Sequence, residues 1–248
     1  MELKKIKPNT AGSRNYIKIK IENLSRKPLL KNCIVGKKNT AGKNNSGKIT
    51  VRHKGGGHKK KYRLLNTHKE INIIGIICSI EYDPFRNAPI ASVFNYQKKS
   101  YFYMIAPKNI KKGDIIKIGK NAELKTGHTL PLSKIPVGSL IHNVSMKPKQ
   151  TGILSRSSGT FSQLIEKTTF NCKIKLSSNK LITLPSGCYA TLGIVANENF
   201  FLTTTGKAGR SRWLNKRPST RGVAMNPIDH PNGGGEGKKS GQKRSPWG

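Results

Sequence analysis

The run Ile71-Asn-Ile-Ile-Gly-Ile-Ile-Cys-Ser-Ile-Glu-Tyr-Asp83 is β-branched and apolar almost throughout, and it stops at Pro84. β-Branched side chains fit a pleated surface, so a run of this kind closed by proline predicts a buried strand followed by a turn. Shorter apolar runs follow at 90–96, 101–106 and 115–118, separated by Arg86-Asn-Ala-Pro89, Lys98-Lys-Ser100 and Asn109-Ile-Lys-Lys-Gly-Asp114. Short strands punctuated this closely predict a small barrel.

A second set lies at 139–144, 161–166, 170–176, 181–184 and 188–195, after Pro131 and Pro136. Within it Phe170, Cys172, Ile174 and Leu176 alternate with Asn171, Lys173 and Lys175, the period of a half-buried strand. No amphipathic helix of comparable length appears. The exception is a short basic helix around 209–216, with Trp213 as its anchor. Residues 108–114 and 120–134 read as the last turn of the first barrel and a linker, placing the boundary near residue 122. The expected organisation is all-β: a basic extension over 1–40, one barrel in 41–121, another in 122–200, and a basic Gly/Pro-rich extension over 201–248.

The charge is lopsided. Forty-seven Lys and Arg face eleven Asp and Glu, leaving +36 on 248 residues. Such a chain repels itself unless a polyanion neutralises it. Positive density is highest before residue 64 and after residue 206. No stretch approaches the roughly 20 apolar residues of a membrane span, and Met1-Glu-Leu-Lys-Lys-Ile-Lys7 lacks the apolar core of a secretory signal. Cys33, Cys78, Cys172 and Cys188 are far apart, with no C-x-x-C pair and no His at ligand spacing. They read as buried, inert thiols rather than metal ligands.

Two segments carry the chemistry. In Gly42-Lys-Asn-Asn-Ser-Gly-Lys-Ile-Thr-Val-Arg-His-Lys-Gly-Gly-Gly-His-Lys-Lys-Lys-Tyr-Arg63, three glycines allow the backbone to approach phosphates. Arg52, Lys54, Lys59, Lys60, Lys61 and Arg63 supply counter-charge, and His53, His58 and Tyr62 can stack on unpaired bases or donate to phosphates. The alternative is a solvated basic loop. This is not a P-loop: no G-x-x-x-x-G-K-[ST] follows a strand and opens a helix. The other segment, Gly222-Val-Ala-Met-Asn-Pro-Ile-Asp-His-Pro-Asn-Gly-Gly-Gly-Glu-Gly237, is unsuited to regular structure. It is flanked by Arg210, Arg212, Lys216, Arg217 and Arg221 on one side and Lys238, Lys239, Lys243 and Arg244 on the other. Its expected scaffold is folded RNA.

Five runs resemble, in order, the universal large-subunit ribosomal protein two family: 42–59, Glu81-Tyr-Asp-Pro84, Ile135-Pro-Val-Gly-Ser-Leu-Ile-His-Asn-Val144, Gly206-Lys-Ala-Gly-Arg-Ser-Arg-Trp213 and Arg221-Gly-Val-Ala-Met-Asn-Pro-Ile-Asp-His-Pro231. The resemblance covers residues 40–248. It implies an OB-fold barrel followed by an SH3-like barrel, with tails threaded into large-subunit ribosomal RNA. It also implies support for assembly, for subunit association across the interface with the small subunit, and for the peptidyl transferase surroundings, beside neighbouring ribosomal proteins. Carried over by position, the RNA contacts are Arg52, His53, Gly55, Gly56, Gly57, His58 and Lys59, then Lys207, Arg210, Arg212, Trp213, Arg217, Arg221, Asn226, Asp229, His230, Gly233, Gly234 and Gly235. Trp213 reads equally as an RNA contact or a plug beneath its helix. Two departures stand out: Asn232 occupies a position where the family usually has His, and the segment before Gly42 is shorter than in bacterial members.

The expected role is therefore structural, with no catalytic residue, no metal and no cofactor beyond Mg bound to the RNA, and with no membrane or small-molecule substrate. One competing reading makes His230, beside Asp229, a general acid or base for peptide-bond formation. It lacks the oriented nucleophile and oxyanion donors a site needs. Another is nonspecific nucleic-acid compaction, which accounts for charge but not for ordered motifs or apolar barrels. Richness in Lys, Asn and Ile points to an AT-rich genome such as an organelle's. With no Arg- and Ser-rich presequence, the expectation is a mitochondrial protein made inside the organelle, ahead of a plastid or bacterial cytoplasm.

Overall fold

A computed structural model describes residues 2–20, 24–66, 72–237, 241–242 and 244–248. It divides into two compact units: 1–38 with 59–207, and 39–58 with 208–248. The first is all-β. β1 (Leu3–Lys5) pairs antiparallel with β2 (Ile17–Ile19), and β3 (Ile34–Lys37) with β4 (Lys60–Arg63). Next come β5 (Ile73–Glu81), β6 (Ile90–Asn95), β7 (Ser100–Ile105), β8 (Ile115–Ile118), β9 (Thr129–Pro131), β10 (Leu140–His142), β11 (Val144–Ser145) and β12 (Gly152–Leu154). The last four strands are β13 (Ser162–Lys167), β14 (Asn171–Leu176), β15 (Leu181–Pro185) and β16 (Tyr189–Leu192).

Ten of these form one sheet in the order β15-β14-β13-β10-β16-β9-β8-β5-β6-β7. Its two halves wrap separate cores, the OB-type barrel first and the SH3-like barrel after it. Ile73, Ile77, Val93, Met104 and Ile116 fill the first, and Leu130, Ile141, Leu164, Ile174, Leu184 and Cys188 the second. The halves join through one parallel step, Ile118 against Thr129. The long apolar run forms β5 as expected, although Ile71 lies outside the described residues. On β14, Cys172 and Ile174 are buried as the alternation predicts, but Phe170, expected on the same face, is 82% exposed because the strand begins only at Asn171. Cys188 is also buried while Cys33 and Cys78 are half-buried, and all four thiols are free.

The expected linker over 120–134 is instead part of the second barrel. β9 lies inside it, and Leu130 and Leu132 are sealed from water. Only three residues long and bounded by Pro131, β9 offers too little alternation to be recognised. Residues 24–38 likewise are not a free extension. Glu81 is fully buried, and its Oε1 accepts hydrogen bonds from Leu29 N–H at 3.1 Å and Ser79 Oγ–H at 2.9 Å. Its Oε2 accepts from the Tyr103 hydroxyl at 2.9 Å, and that hydroxyl accepts from Leu30 N–H at 3.0 Å. A buried carboxylate is tolerable only when so satisfied. The interaction clamps the chain before β3 onto the OB barrel. Burial pushes the Tyr103 phenol up to about 12; the Leu30 donor opposes this and the Glu81 bond reinforces it.

Candidate nucleic-acid interface

The second unit brings together the two motif-bearing segments, which are remote in sequence. Within the loop, Asn44 Oδ1 accepts from Ser46 N–H and Lys48 N–H, and Gly42 O accepts from Thr50 N–H and Val51 N–H. The loop then pairs with the chain that follows α1 (Ala208–Trp213). Gly55 N–H donates to Asn215 O at 2.8 Å, Arg217 N–H donates to His53 O at 3.0 Å, and His53 Nδ1 lies 2.8 Å from Pro218 O. His53 and Asn215 both take left-handed backbone conformations, with φ of 59° and 64°. For a His or Asn this is an uncommon conformation that local structure must hold.

The three consecutive glycines serve different ends. Gly57 has φ of 66°, and a Cβ there would collide with the Asn215 side chain, so the fold itself requires glycine. At Gly55 a Cβ would meet the Asn215 backbone at ordinary contact distance. Gly56 has no neighbour within 4 Å of where its Cβ would stand, and its φ is outside the left-handed region. Nothing inside the protein asks for glycine at Gly56.

The tail is more ordered than its composition predicts. His230 is buried, its ring lies over Gly222 where any Cβ would strike it, and its Nδ1 accepts from Asn232 N–H at 3.0 Å. Asn226 O accepts from Asp229 N–H and His230 N–H, Gly233 N–H donates to His230 O, and Gly234 N–H donates to Met225 O. A single 3-10 turn, Gly222–Ala224, is the only regular element among the described residues of 222–237. Thus 222–235 closes on itself around an imidazole rather than an aliphatic core. The His230 ring faces the protein, while the Asp229 side chain is exposed and the structure records no bond between them.

Arg52, His53, Lys54, His58, Arg212, Arg217, Arg221, Asn226, Gly234 and Gly235 are exposed, and Gly55, Gly56, Arg210 and Gly233 are half-buried. All belong to this unit, which carries 13 Lys and Arg against Asp229 and Glu236. Lys238, Lys239 and Lys243 lie outside the described residues. Lys59, Lys60, Arg63 and Lys207 belong to the first unit. Lys59, Lys60 and Lys207 are exposed there, but Arg63 is 3% exposed and its Nη1 donates to Lys61 O at 2.9 Å. Arg63 is therefore packed within the first unit and does not stand in an outward basic row, although Lys61 on the same face of β4 is exposed. Trp213, expected to anchor its helix, is 68% exposed, because six residues of α1 do not make an apolar face to cover it. Sequence reasoning missed Asn215 and Pro218, whose backbone carbonyls hold the loop; no side-chain signal marks such a partner. Among the described residues no group of three or more His, Cys, Asp and Glu is placed to hold a metal ion, and no helix is long and apolar enough to cross a membrane.

Comparison with known proteins covers the chain from end to end. The family described as Ribosomal Proteins L2, RNA binding N-terminal domain matches residues 30–118, and Ribosomal Proteins L2, C-terminal domain matches 125–248. The chain is 42% identical over 250 residues to the Large ribosomal subunit protein uL2 of Wolbachia sp. subsp. Brugia malayi (strain TRS), covering all of this chain and 91% of the relative. It is 43% identical over 251 residues to the protein of the same name from Granulibacter bethesdensis, again covering all of this chain and 91% of the relative.

Proposed function

The chain belongs to the ribosomal protein L2 family, and from that premise we propose that it is a structural constituent of the large ribosomal subunit that binds large-subunit rRNA through the loop 39–58 and the tail 208–248. It is not an enzyme. The observation that carries the RNA assignment is the second unit itself: backbone-held, glycine-lined at Gly56, and bearing 13 basic side chains against two acidic ones. Phosphate contacts set position and affinity, and close backbone approach at Gly56 and Gly235 gives them room. His230 is a packing and hydrogen-bonding residue of the tail, which argues against a role in proton transfer. Mg enters only with the RNA. Neighbouring ribosomal proteins and the small subunit are the remaining partners in this reading. The Lys-, Asn- and Ile-rich composition supports a mitochondrial ribosome as the site of action; mapping the gene to organellar or nuclear DNA tests that point.

The function is tested by reconstituting large subunits with the full chain or with His230→Ala. Wild type is expected to enter the particle, and its absence would defeat the assignment. Particles verified to contain His230→Ala are expected to keep single-turnover peptidyl transfer within about tenfold of normal, short of the 10²-fold or greater loss of a general acid or base. A loss of about a thousandfold would install His230 in the chemistry instead.

A further inference from the structure

The outward face of the OB barrel is covered by the chain at one end and bare at the other. At the covered end Ser92 and Tyr103 are fully buried, and Leu29 and Leu30 are tied to Glu81 and Tyr103. At the other end a row of direct cross-strand partners crosses four strands: Ile115 on β8, Ile76 on β5, Phe94 on β6 and Tyr101 on β7. The next row holds Lys117 beside Ile74, and Tyr96, whose N–H donates to Ile74 O at 3.1 Å. The solvent side of an antiparallel sheet is normally polar. Here Ile115 is 56% exposed, Tyr96 56% and Tyr101 49%. Contiguous apolar surface of this kind marks a binding site.

The rings interlock, inclined to one another by 67° for Phe94 and Tyr96 and 49° for Phe94 and Tyr101. Phe94 sits between Tyr96 and Tyr101, with centroids 5.5 and 4.9 Å away, which holds both outer tyrosines on the face. Lys98 and Lys99 are exposed on the connection from β6 to β7, and the carboxylate Glu123 near the opposite edge is already engaged by Lys117 and Lys125. Exposed rings with an uncancelled cationic rim select an anionic strand that carries flat faces. A basic neighbouring protein would be repelled by the same rim.

Resting on the rRNA-binding reading above, we propose that Tyr96 and Tyr101 form a second RNA site, separate in sequence from the glycine-rich motifs, that stacks unpaired bases while Lys98 and Lys99 hold the adjoining phosphates. The test is equilibrium binding of the full chain to a mixed-sequence single-stranded 12-nucleotide RNA and to a duplex of equal length. Loss of both rings in Tyr96→Thr/Tyr101→Thr, which keeps strand-forming residues, is expected to weaken single-strand binding about fivefold or more and to spare the duplex. Tyr96→Phe/Tyr101→Phe is expected to retain wild-type affinity. Equal single-strand affinity in the Thr variant would overturn the site. So would an equal loss on duplex, or loss of the variant from large subunits with RNA affinity intact, which would give the face to a protein neighbour. Should the Thr variant unfold, Tyr96→Leu/Tyr101→Leu, apolar but without a ring, decides on the same criteria. Failure of wild type to bind rRNA would sink the parent reading; wild-type binding with unaffected variants sinks this one alone.

Discussion

In the SH3-like barrel Leu132, Ile135, Ile141, Leu164 and Ile174 are sealed from water, whereas the described residues of 39–58 and 208–248 bury no aliphatic or aromatic side chain except the His230 imidazole. The barrels are held by apolar burial, each such side chain contributing roughly 1.5–3 kcal/mol. The loop and tail are held by backbone bonds such as Gly55 to Asn215, by tight approach at Gly57 and Gly222, and by nothing that survives without shape. An interior of that second kind leaves its basic side chains outside. The division of labour is physical: the barrels keep the chain folded, and the poorly cored unit presents charge.

The difference is most easily exposed by salt. Binding of the full chain to its rRNA fragment is expected to fall with a slope of log K against log salt steeper than about −5, or about a thousandfold between roughly 50 and 200 mM. Barrel unfolding should barely respond over that range. A flat binding curve would remove the electrostatic half of the contrast. Working on the other half, Ile174→Ala is expected to cost about 2–5 kcal/mol of barrel stability in urea denaturation. The RNA affinity of the folded fraction should be unchanged, and a parallel fall in both would merge what the comparison separates.

Gly222→Ala attacks the second unit alone. Its methyl meets the His230 ring, and local strain of about 1–3 kcal/mol is expected to weaken rRNA binding about tenfold at unchanged barrel melting temperature. Adding His230→Ala removes the obstruction and should recover part of that loss; no recovery would mean that ring contact is not the cause. The smallest effect is alkaline. Tyr103 titrates near 12 in the folded chain against its ordinary 10, so the unfolded chain loses its proton first. Its contribution is complete below pH 10 and is lost as pH rises toward 12. Tyr103→Phe should flatten that part of the stability profile, even though it also loses the bond to Glu81.

Legibility followed the same divide. Long β-branched runs and period-two alternation mark β5, β6, β7, β8, β10, β13, β14, β15 and β16 in the sequence, because burial on one face writes itself into every second residue. β9, β12 and the two-stranded β1–β2 and β3–β4 pairs were missed, since three or four residues hold too few alternations. At the interface, charge and glycine named Arg52, Gly56, Arg212 and Arg217, but not the pairing of 53–55 with 215–218, which runs through backbone atoms common to every residue. Arg63 looked like its neighbours in sequence, and strand face does not separate it from Lys61 two residues earlier, which stays exposed while Arg63 is buried.

The second unit is shaped for something outside the protein, and Gly56 isolates that property. Gly56→Val introduces a branched side chain where, apart from the adjoining residues of the chain, no neighbour stands within 4 Å of the Cβ. The measurement is rRNA affinity and large-subunit occupancy of the full-length Gly56→Val chain beside wild type, with melting temperature recorded for both. Unchanged melting with binding weakened about tenfold or more is the expected result. Normal affinity and normal occupancy at unchanged melting would contradict the claim.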